Sequence, residues 1–355
     1  MAKRFVSVLI DTYNHERFIE QAISSVLEQD FPASDREIIV VDDGSTDRTP
    51  EIVRKFEPRL RLLRKENGGQ ASAFNAGIPE CQGEIIAFLD GDDWWAPNKL
   101  TRVTQAMAAD PSVGIVGHGI TEMLFDGSQH SQLIKDIPRF RINSEAGALA
   151  FRLRKNFLGT SRMTYRASLL KQIGKVPEAL TIQADEYVFT LGAVFSEVLI
   201  LRESLTFYRL HESNAFQVSS GDTTAIRRKQ IVLEALAESV RARFSGEKIS
   251  ERVTAIVVES IETEAELARL SLDSGLPWET LRTELRNQRI MHPDTSIPRW
   301  LFKGLALLPA CVLPSRTYYW LRSGFSRNRM YRKAREKWLP FSQPKHVDDF
   351  HTTRT

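Results

Sequence analysis

Three short apolar runs in the first 120 residues each end in aspartate, and helical segments separate them. Phe5–Ile10, Ile38–Val41, Leu60–Leu63, Ile85–Leu89 and Val113–Val116 are short runs rich in aliphatic and β-branched residues, the pattern of strands buried on both faces. Between them, His15–Gln29 sets Phe18, Ile19, Ala22, Ile23, Val26 and Leu27 at helical spacing. Thr49-Pro50 is a helix start with proline in the first position, Gln70–Glu80 reads as a helix, and Pro97 opens another. This alternation confines the chain to the α/β class, a mostly parallel sheet flanked by helices. In such an open sheet, ligands bind beyond the carboxyl ends of the strands. Ile10 runs into Asp11, Val41 into Asp42-Asp43, and Leu89 into Asp90-Gly91-Asp92-Asp93. The three acidic ends therefore converge on one edge, where clustered carboxylates want a cation or hydrogen-bond donors.

Asp90 and Asp92 lie two apart, so continued strand geometry points both side chains the same way, with Cα atoms about 6.6 Å apart. A divalent cation then takes one oxygen directly and another through water. Magnesium and manganese favour such hard ligands and share themselves with substrate phosphates. One acidic turn alone is commonly a helix cap; three in this order point to a site. Asn67-Gly68-Gly69-Gln70 puts a glycine pair before a helix N-terminus, a place suited to anions, although it lacks the Walker lysine and the GxGxxG spacing.

Beyond residue 120 the pattern loosens. Gly127–Gln132 reads as a turn, and Phe157–Tyr165 as a polar loop leading into a helix at Ala167–Ile173. Ile182–Val194 reads as a helix and Val198–Tyr208 contains a strand, after which Thr223–Phe244, Ser250–Leu272 and Pro277–Gln288 are helical. The expected organisation is an α/β domain over 1–220, with a donor half to about 120 and an acceptor and base half beyond it. A helical C-terminal extension over 221–340 and a polar, disordered tail over 341–355 follow.

A net charge of +3, from 48 basic and 45 acidic residues, is too balanced for a general nucleic-acid binder. Two cysteines, Cys81 and Cys311, exclude a disulfide scaffold and a cysteine-rich zinc site, and they fit a reducing compartment. The N-terminus does not read as a signal peptide, because Asp11 ends the first apolar run. The longest apolar candidate, Leu301–Leu313, contains Lys303 and Pro309 and suits lying on a membrane rather than crossing one. Arg316, Arg322, Arg327, Arg329, Arg332, Lys333, Arg335 and Lys337 follow, interleaved with Tyr318, Tyr319, Trp320 and Tyr331. Segment 298–337 is thus expected to contact an anionic membrane surface, for a cytoplasmic protein peripheral on the inner face of the plasma membrane. The competing expectation is a helical hairpin that packs back on the catalytic domain with a solvated basic face.

Several motifs together resemble the family-2 glycosyltransferases of GT-A fold. They are Ser7-Val8-Leu9-Ile10-Asp11-Thr12-Tyr13-Asn14, Val40-Val41-Asp42-Asp43-Gly44-Ser45-Thr46-Asp47, Asn67-Gly68-Gly69 with Asn75-Ala76-Gly77, and Leu89-Asp90-Gly91-Asp92-Asp93. The resemblance covers residues 5 to about 120 closely and continues more loosely to about 215. It implies a nucleotide-sugar donor, transfer with inversion, and Mn2+ or Mg2+. It places Asp11 and Tyr13 in the base-binding loop, Asp43 as acceptor for a uracil or thymine N3–H (a UDP- or dTDP-sugar), and Asn67 and Gly68 beside the donor. Asp90 and Asp92 become the DxD-type motif, Asp92 the direct metal ligand and Asp90 near the ribose or the metal's waters. Arg209 and His211, in Tyr208–Asn214, fall near the diphosphate or the metal. The general base comes from Gln183–Phe189, either Asp185 or Glu186. Asp185 is favoured because Val188 then takes the family's apolar position, with Ala184 where the family has glutamate. Of Trp94 and Trp95, one is expected in the core and the other at the acceptor pocket. The acceptor implied is a cell-surface glycan or its lipid-linked precursor, with self-association through the helical extension as a further expectation. Two rivals stand beside this. A nucleotidyltransferase would want a glycine-rich basic loop where Asp11-Thr12-Tyr13-Asn14 sits, and a donor-binding module without catalysis would account for the missing glutamate.

Overall fold

The computed structural model describes residues 5–123, 127–131, 134, 139–211, 222–273, 275–291 and 307–326. The chain divides into two compact units, Met1–Gly147 with Arg154–Ser213, and Ala148–Leu153 with Asn214–Thr355. The tail over 341–355 lies outside the described residues, as do 298–306 and 327–337 of the basic segment.

The first unit is built on one ten-stranded sheet. Its strands are β1 (Val6–Thr12), β2 (Arg36–Asp42), β3 (Arg61–Arg64), β4 (Ile85–Asp90), β5 (Trp94–Trp95), β6 (Val113–Met123), β7 (Gln129–Ser131), β8 (Arg139–Phe140), β9 (Thr164–Arg166) and β10 (Glu197–Arg209). They lie in the order β3-β2-β1-β4-β9-β6-β10-β5, with β7 on β6 and β8 on β10. The four strands from β3 to β4 are all parallel, as are β6 and β10, while short β9 runs antiparallel between β4 and β6. The α/β expectation is met. β1, β2 and β4 are buried along their apolar lengths because helices cover both faces. The helix α1 (Ile19–Leu27) contributes Ile19, Ala22, Ile23 and Val26 to that core. The helices α2 (Thr49–Arg54), α3 (Gln70–Gly77), α4 (Lys99–Ala109), α6 (Ala167–Ile173) and α7 (Ala184–Phe195) complete the connections, while α5 (Glu145–Arg154) holds Ala148–Leu153 of the second unit. Register does what the sequence pattern required: Thr12 lies opposite Asp42, and Asp11 opposite Asp90, so the acidic ends stand side by side.

Some elements differ from expectation. Gly127 does turn, at φ +77°, but Gln129–Ser131 pairs with β6 as a strand. The loop expected over Phe157–Tyr165 holds 3-10 turns at Lys155–Phe157 and Thr160–Arg162 and begins β9. Trp94-Trp95 is a two-residue strand paired to β10. Each of these pieces is too short to show a period, and neighbouring strands impose the extended form.

In the second unit, α8 (Thr223–Gly246) and α9 (Glu251–Leu272) are capped by the side chains of Asp222 and Ser250. The apolar faces of α8 and α9 bury Leu233, Leu236, Val240 and Phe244, and Val257, Val258 and Ile261. They are followed by α10 (Pro277–Met291) and α11 (Ser315–Ser326). Tyr318 packs with Leu307, Ala310 and Leu281, and Glu284 pairs with Arg322. The described part of the basic segment packs on α10 of its own unit, while Leu308, Val312 and Trp320 stay exposed. No helix among the described residues is long and apolar enough to cross a membrane.

Candidate functional site

The turn after β4 is the centre of the site. Asp93 N donates to Asp90 O at 3.1 Å, and Gly91 N to Asp11 O at 2.9 Å. Gly91 must lack a side chain, since a Cβ would lie 2.6 Å from Thr12 Oγ1 and 2.8 Å from His15 Nδ1. Ser161 Oγ donates to Asp90 Oδ2 and accepts from Asp90 N, both at 3.1 Å. Asp93 Oδ1 accepts from Arg209 N at 3.0 Å. Asp92 Oδ2 meets His211 Nε2 at 2.9 Å and His15 Nε2 at 3.8 Å.

Burial first, and then mutual repulsion, push the carboxyls of Asp11, Asp90 and Asp93 well above the usual range. Burial opposes ionisation of Asp92 as well, but the His15 and His211 imidazoles outweigh it and hold that carboxyl below its ordinary value. Carboxylate oxygens of Asp90, Asp92 and Asp93 lie within 4.8 Å of one another. Two buried oxygens, Asp11 Oδ1 and Asp93 Oδ2, have no hydrogen-bond partner among the described residues. Three convergent carboxylates, an imidazole and orphaned oxygens fit a divalent cation.

His15 is a residue that sequence reasoning missed. Its loop is stitched to the turn after β2: Asn14 N donates to Ser45 Oγ at 2.9 Å, His15 N to Thr49 Oγ1 at 2.8 Å, and Glu16 N to Asp47 Oδ2 at 3.0 Å. Thr12 Oγ1 lies 3.1 Å from His15 Nδ1 and fixes the ring. His15 meets Asp92 only through the fold, and in the sequence a lone histidine carries no spacing signal.

The second pole of the site is Asp43, at the end of β2. Its carboxylate accepts from Lys65 Nζ at 2.7 Å, Gly68 N at 3.1 Å and Gly69 N at 2.7 Å, while Asn67 Nδ2 donates to Asp43 O at 3.0 Å. An open crevice of about 600 Å3 beside it is lined by Gly44, Arg64, Lys65, Glu66 and Asn67. Tyr13 is 43% exposed. Asp11 lies near enough to feel the charges of Asp43, Asp92 and Asp185, so the two poles and the α7 acid surround it.

Arg209 braces the acidic turn. Its Nε donates to Asp92 O at 3.0 Å and Nη2 to Gln21 Oε1 at 2.6 Å, and the guanidinium lies over the rings of Phe18 and Trp94. Trp95 is the core tryptophan, its Nε1 donating to Ser161 O at 2.9 Å; Trp94 stacks on Phe207.

At the start of α7 the two candidate bases part company. Glu186 is buried and its Oε1 meets Lys155 Nζ at 2.6 Å. Asp185 Oδ2 accepts from Thr160 N at 3.1 Å and Thr160 Oγ1 at 3.3 Å, and its Oδ1 from Glu186 N at 2.8 Å. Burial, and then the Glu186 charge, push the Asp185 carboxyl up to about 6. The Asp185 charge also reaches Asp11 and Asp90, so this group faces the acidic turn.

Comparison with known proteins places this geometry. The model of the family described as Glycosyl transferase family 2 matches residues 7–174. An uncharacterised glycosyltransferase of Nostoc sp. is 31% identical over 226 residues, covering 62% of this chain and 69% of the relative. The poly(ribitol-phosphate) β-N-acetylglucosaminyltransferase TarS of Staphylococcus aureus is 34% identical over 132 residues, 34% of this chain and 23% of TarS. Among solved structures, a mannosyltransferase of Pyrobaculum calidifontis in complex with GDP-Man and Mn2+ superposes with a TM-score of 0.54 at 22% identity, covering 95% of this chain and 88% of that one. TarS 1–349 in complex with UDP-GlcNAc does so with a TM-score of 0.50 at 21% identity, covering 81% and 89%. The structural likenesses establish the fold, and the Nostoc relative, in keeping with the family match, establishes the kinship: the chain belongs to glycosyltransferase family 2, is a glycosyltransferase and has the GT-A fold.

Proposed function

We propose that the protein is a metal-dependent inverting glycosyltransferase that moves a sugar from a UDP- or dTDP-sugar to a hydroxyl of a cell-surface glycan or its lipid-linked precursor, with Asp185 as general base. The observation that carries this reading is the pairing of an Asp185 carboxyl raised to about 6 with an acidic turn at the same sheet edge. A base poised near working pH takes the acceptor's proton efficiently. Glu186, engaged by Lys155, holds the start of α7 instead. Asp92 would hold the cation, with Asp90, Asp93 and His211 around it. A bound divalent cation supplies charge neutralisation of the leaving diphosphate. Carboxylate with imidazole suits Mn2+ better than Mg2+, in keeping with the Mn2+ of the P. calidifontis neighbour. Asp43 and the Asn67-Gly68 loop receive the nucleobase, with Tyr13 at the rim and Asp11 between nucleobase and acidic turn. Arg209 adds positive charge beside the diphosphate.

Calorimetry with UDP, dTDP, GDP and CMP, with and without Mn2+, tests the donor site. UDP or dTDP binding strengthened by Mn2+ is the expected result, and absence of binding by folded protein for all four would overturn it.

The helical unit is assigned to attachment at the cytoplasmic face of the membrane or to self-association. Exposed Leu308, Val312 and Trp320, the exposed Arg316 and the basic run 327–337 in the sequence support contact with anionic lipid. Co-sedimentation with phosphatidylglycerol vesicles, reversed by high salt, is expected; equal sedimentation with neutral vesicles would remove the electrostatic argument.

A further inference from the structure

Gln70, the first residue of α3, joins the Asp43 pole of the site to the start of α7. Its backbone neighbour Gly69 donates to Asp43 Oδ2 at 2.7 Å. Gly69 takes φ +82°, and a Cβ there would fall 2.5 Å from Thr181 O, so the loop lies flat against the segment leading to α7. Gln70 N donates to Thr181 O at 3.0 Å and Ala71 N to Leu180 O at 3.3 Å. The Gln70 side chain spans the rest of the distance: Oε1 accepts from Ala184 N at 2.8 Å, and Nε2 donates to Thr160 Oγ1 at 2.9 Å. A backbone N–H only donates, so the amide orientation is fixed. Nε2 also only donates, so Thr160 Oγ1 accepts from it and turns its own hydrogen to Asp185 Oδ2, 3.3 Å away. The direction of every bond in the chain is thereby set, from the nucleobase acid to the base.

We infer that Gln70 is a positioning residue that couples the nucleobase loop to Asp185, so that donor occupancy and base geometry are set together. This rests on the reading of Asp185 as base and of Asp43 as nucleobase acceptor, and it deepens both. Thr160 gives Asp185 two donors, and the Gln70 Nε2–H that occupies a hydroxyl lone pair directs the hydroxyl hydrogen toward Asp185. Misplacing a catalytic group by about 1 Å costs on the order of a hundredfold, so this link is worth holding.

The test uses the full chain, Mg2+ and the nucleotide that binds in the calorimetry above, with UDP expected. Gln70→Met keeps length and volume and deletes both side-chain hydrogen bonds. Gln70→Glu keeps an acceptor for Ala184 N but turns the Thr160 hydroxyl hydrogen away from Asp185. In wild type, UDP should shift the amide resonances of Thr160, Ala184 and Asp185 as well as Gly68 and Gly69. In Gln70→Met, with UDP affinity within about threefold, the shifts should be confined to the glycine loop. The carbon-13 carboxyl titration of Asp185 should move to higher pH in both variants, more in Gln70→Glu. Wild-type shifts and titration in both variants would overturn the inference, as would loss of UDP binding equal to loss of coupling, which is a merely structural role. Asp185→Asn separates the underlying reading: if that variant transfers sugar normally, the base assignment falls and this inference with it. If Asp185→Asn is inactive and Gln70→Met behaves as wild type, only this inference falls.

Discussion

Asp185→Asn is expected to lower kcat by about 10²- to 10⁴-fold, the usual contribution of a positioned general base, while leaving nucleotide affinity within about twofold. Asparagine has the same shape, and its amide oxygen still accepts from Thr160 N and Thr160 Oγ1, which hold the wild-type carboxylate at 3.1 and 3.3 Å, while its NH2 group gives up only the bond from Glu186 N. What it lacks is the ability to take the acceptor's proton. The pH profile gives an independent check. With the carboxyl raised to about 6, the base is ionised above that pH and neutral below it. Wild-type kcat/KM should therefore fall about tenfold per unit of pH below 6, and the residual activity of Asp185→Asn should show no such limb. Glu186→Gln should do the reverse. It removes the carboxylate charge that meets buried Lys155 Nζ at 2.6 Å, a change that costs on the order of 3 kcal/mol in stability, visible as a lowered Tm, while the proton-accepting group remains. A Glu186→Gln variant that is stable and inactive, beside an active Asp185→Asn, would reverse the assignment.

The sequence revealed some of these features because they repeat locally. β1, β2 and β4 are continuous apolar runs, each closed by acid, and parallel register then brings Asp11, Asp42 and Asp90 together without further information. The helices α8, α9 and α10 were legible for the same reason, with apolar residues recurring over many turns. The supports of the site were not legible. Ser161 on Asp90 and Thr160 on Asp185 come from a three-residue 3-10 turn, too short to carry a period. Lys155 and Glu186 lie 31 positions apart, and buried Lys99 donates to Thr164 Oγ1 across a separation of 65. Charged residues in a chain read as solvent-facing until tertiary packing supplies partners. The position of Val188 favours Asp185 in the sequence, but the engagement of Glu186 by Lys155 is recorded by no motif.

Asp92→Ala is expected to remove the Mn2+ dependence of nucleotide binding, with Mn2+ affinity lowered at least about 100-fold, since even the partners of metal ligands are worth 10- to 100-fold. Among the acids of the turn, Asp92 alone has its carboxyl held below the ordinary range, by the imidazoles of His15 and His211. Asp90 and Asp93 are driven the other way by burial and by one another. Asp92 thus carries the ready negative charge, and its neighbours supply oxygens that ionise fully only against a cation. Removing Asp92 leaves two imidazoles without the carboxylate they flank at 2.9 and 3.8 Å, and leaves Asp90 and Asp93 to repel each other. Asp93→Asn should act more mildly on the metal, because Asp93 Oδ1 is already engaged by Arg209 N at 3.0 Å and an amide oxygen can still accept that bond. Free Mn2+ counted by electron paramagnetic resonance, in titrations of wild type and both variants with and without UDP, separates these expectations. Equal Mn2+ affinity in wild type and Asp92→Ala would move the cation to Asp90 and Asp93. Loss of metal binding with metal-free UDP affinity intact would show that Asp92 acts on the nucleotide through the cation, and not through the glycine loop that donates to Asp43 at 2.7 Å.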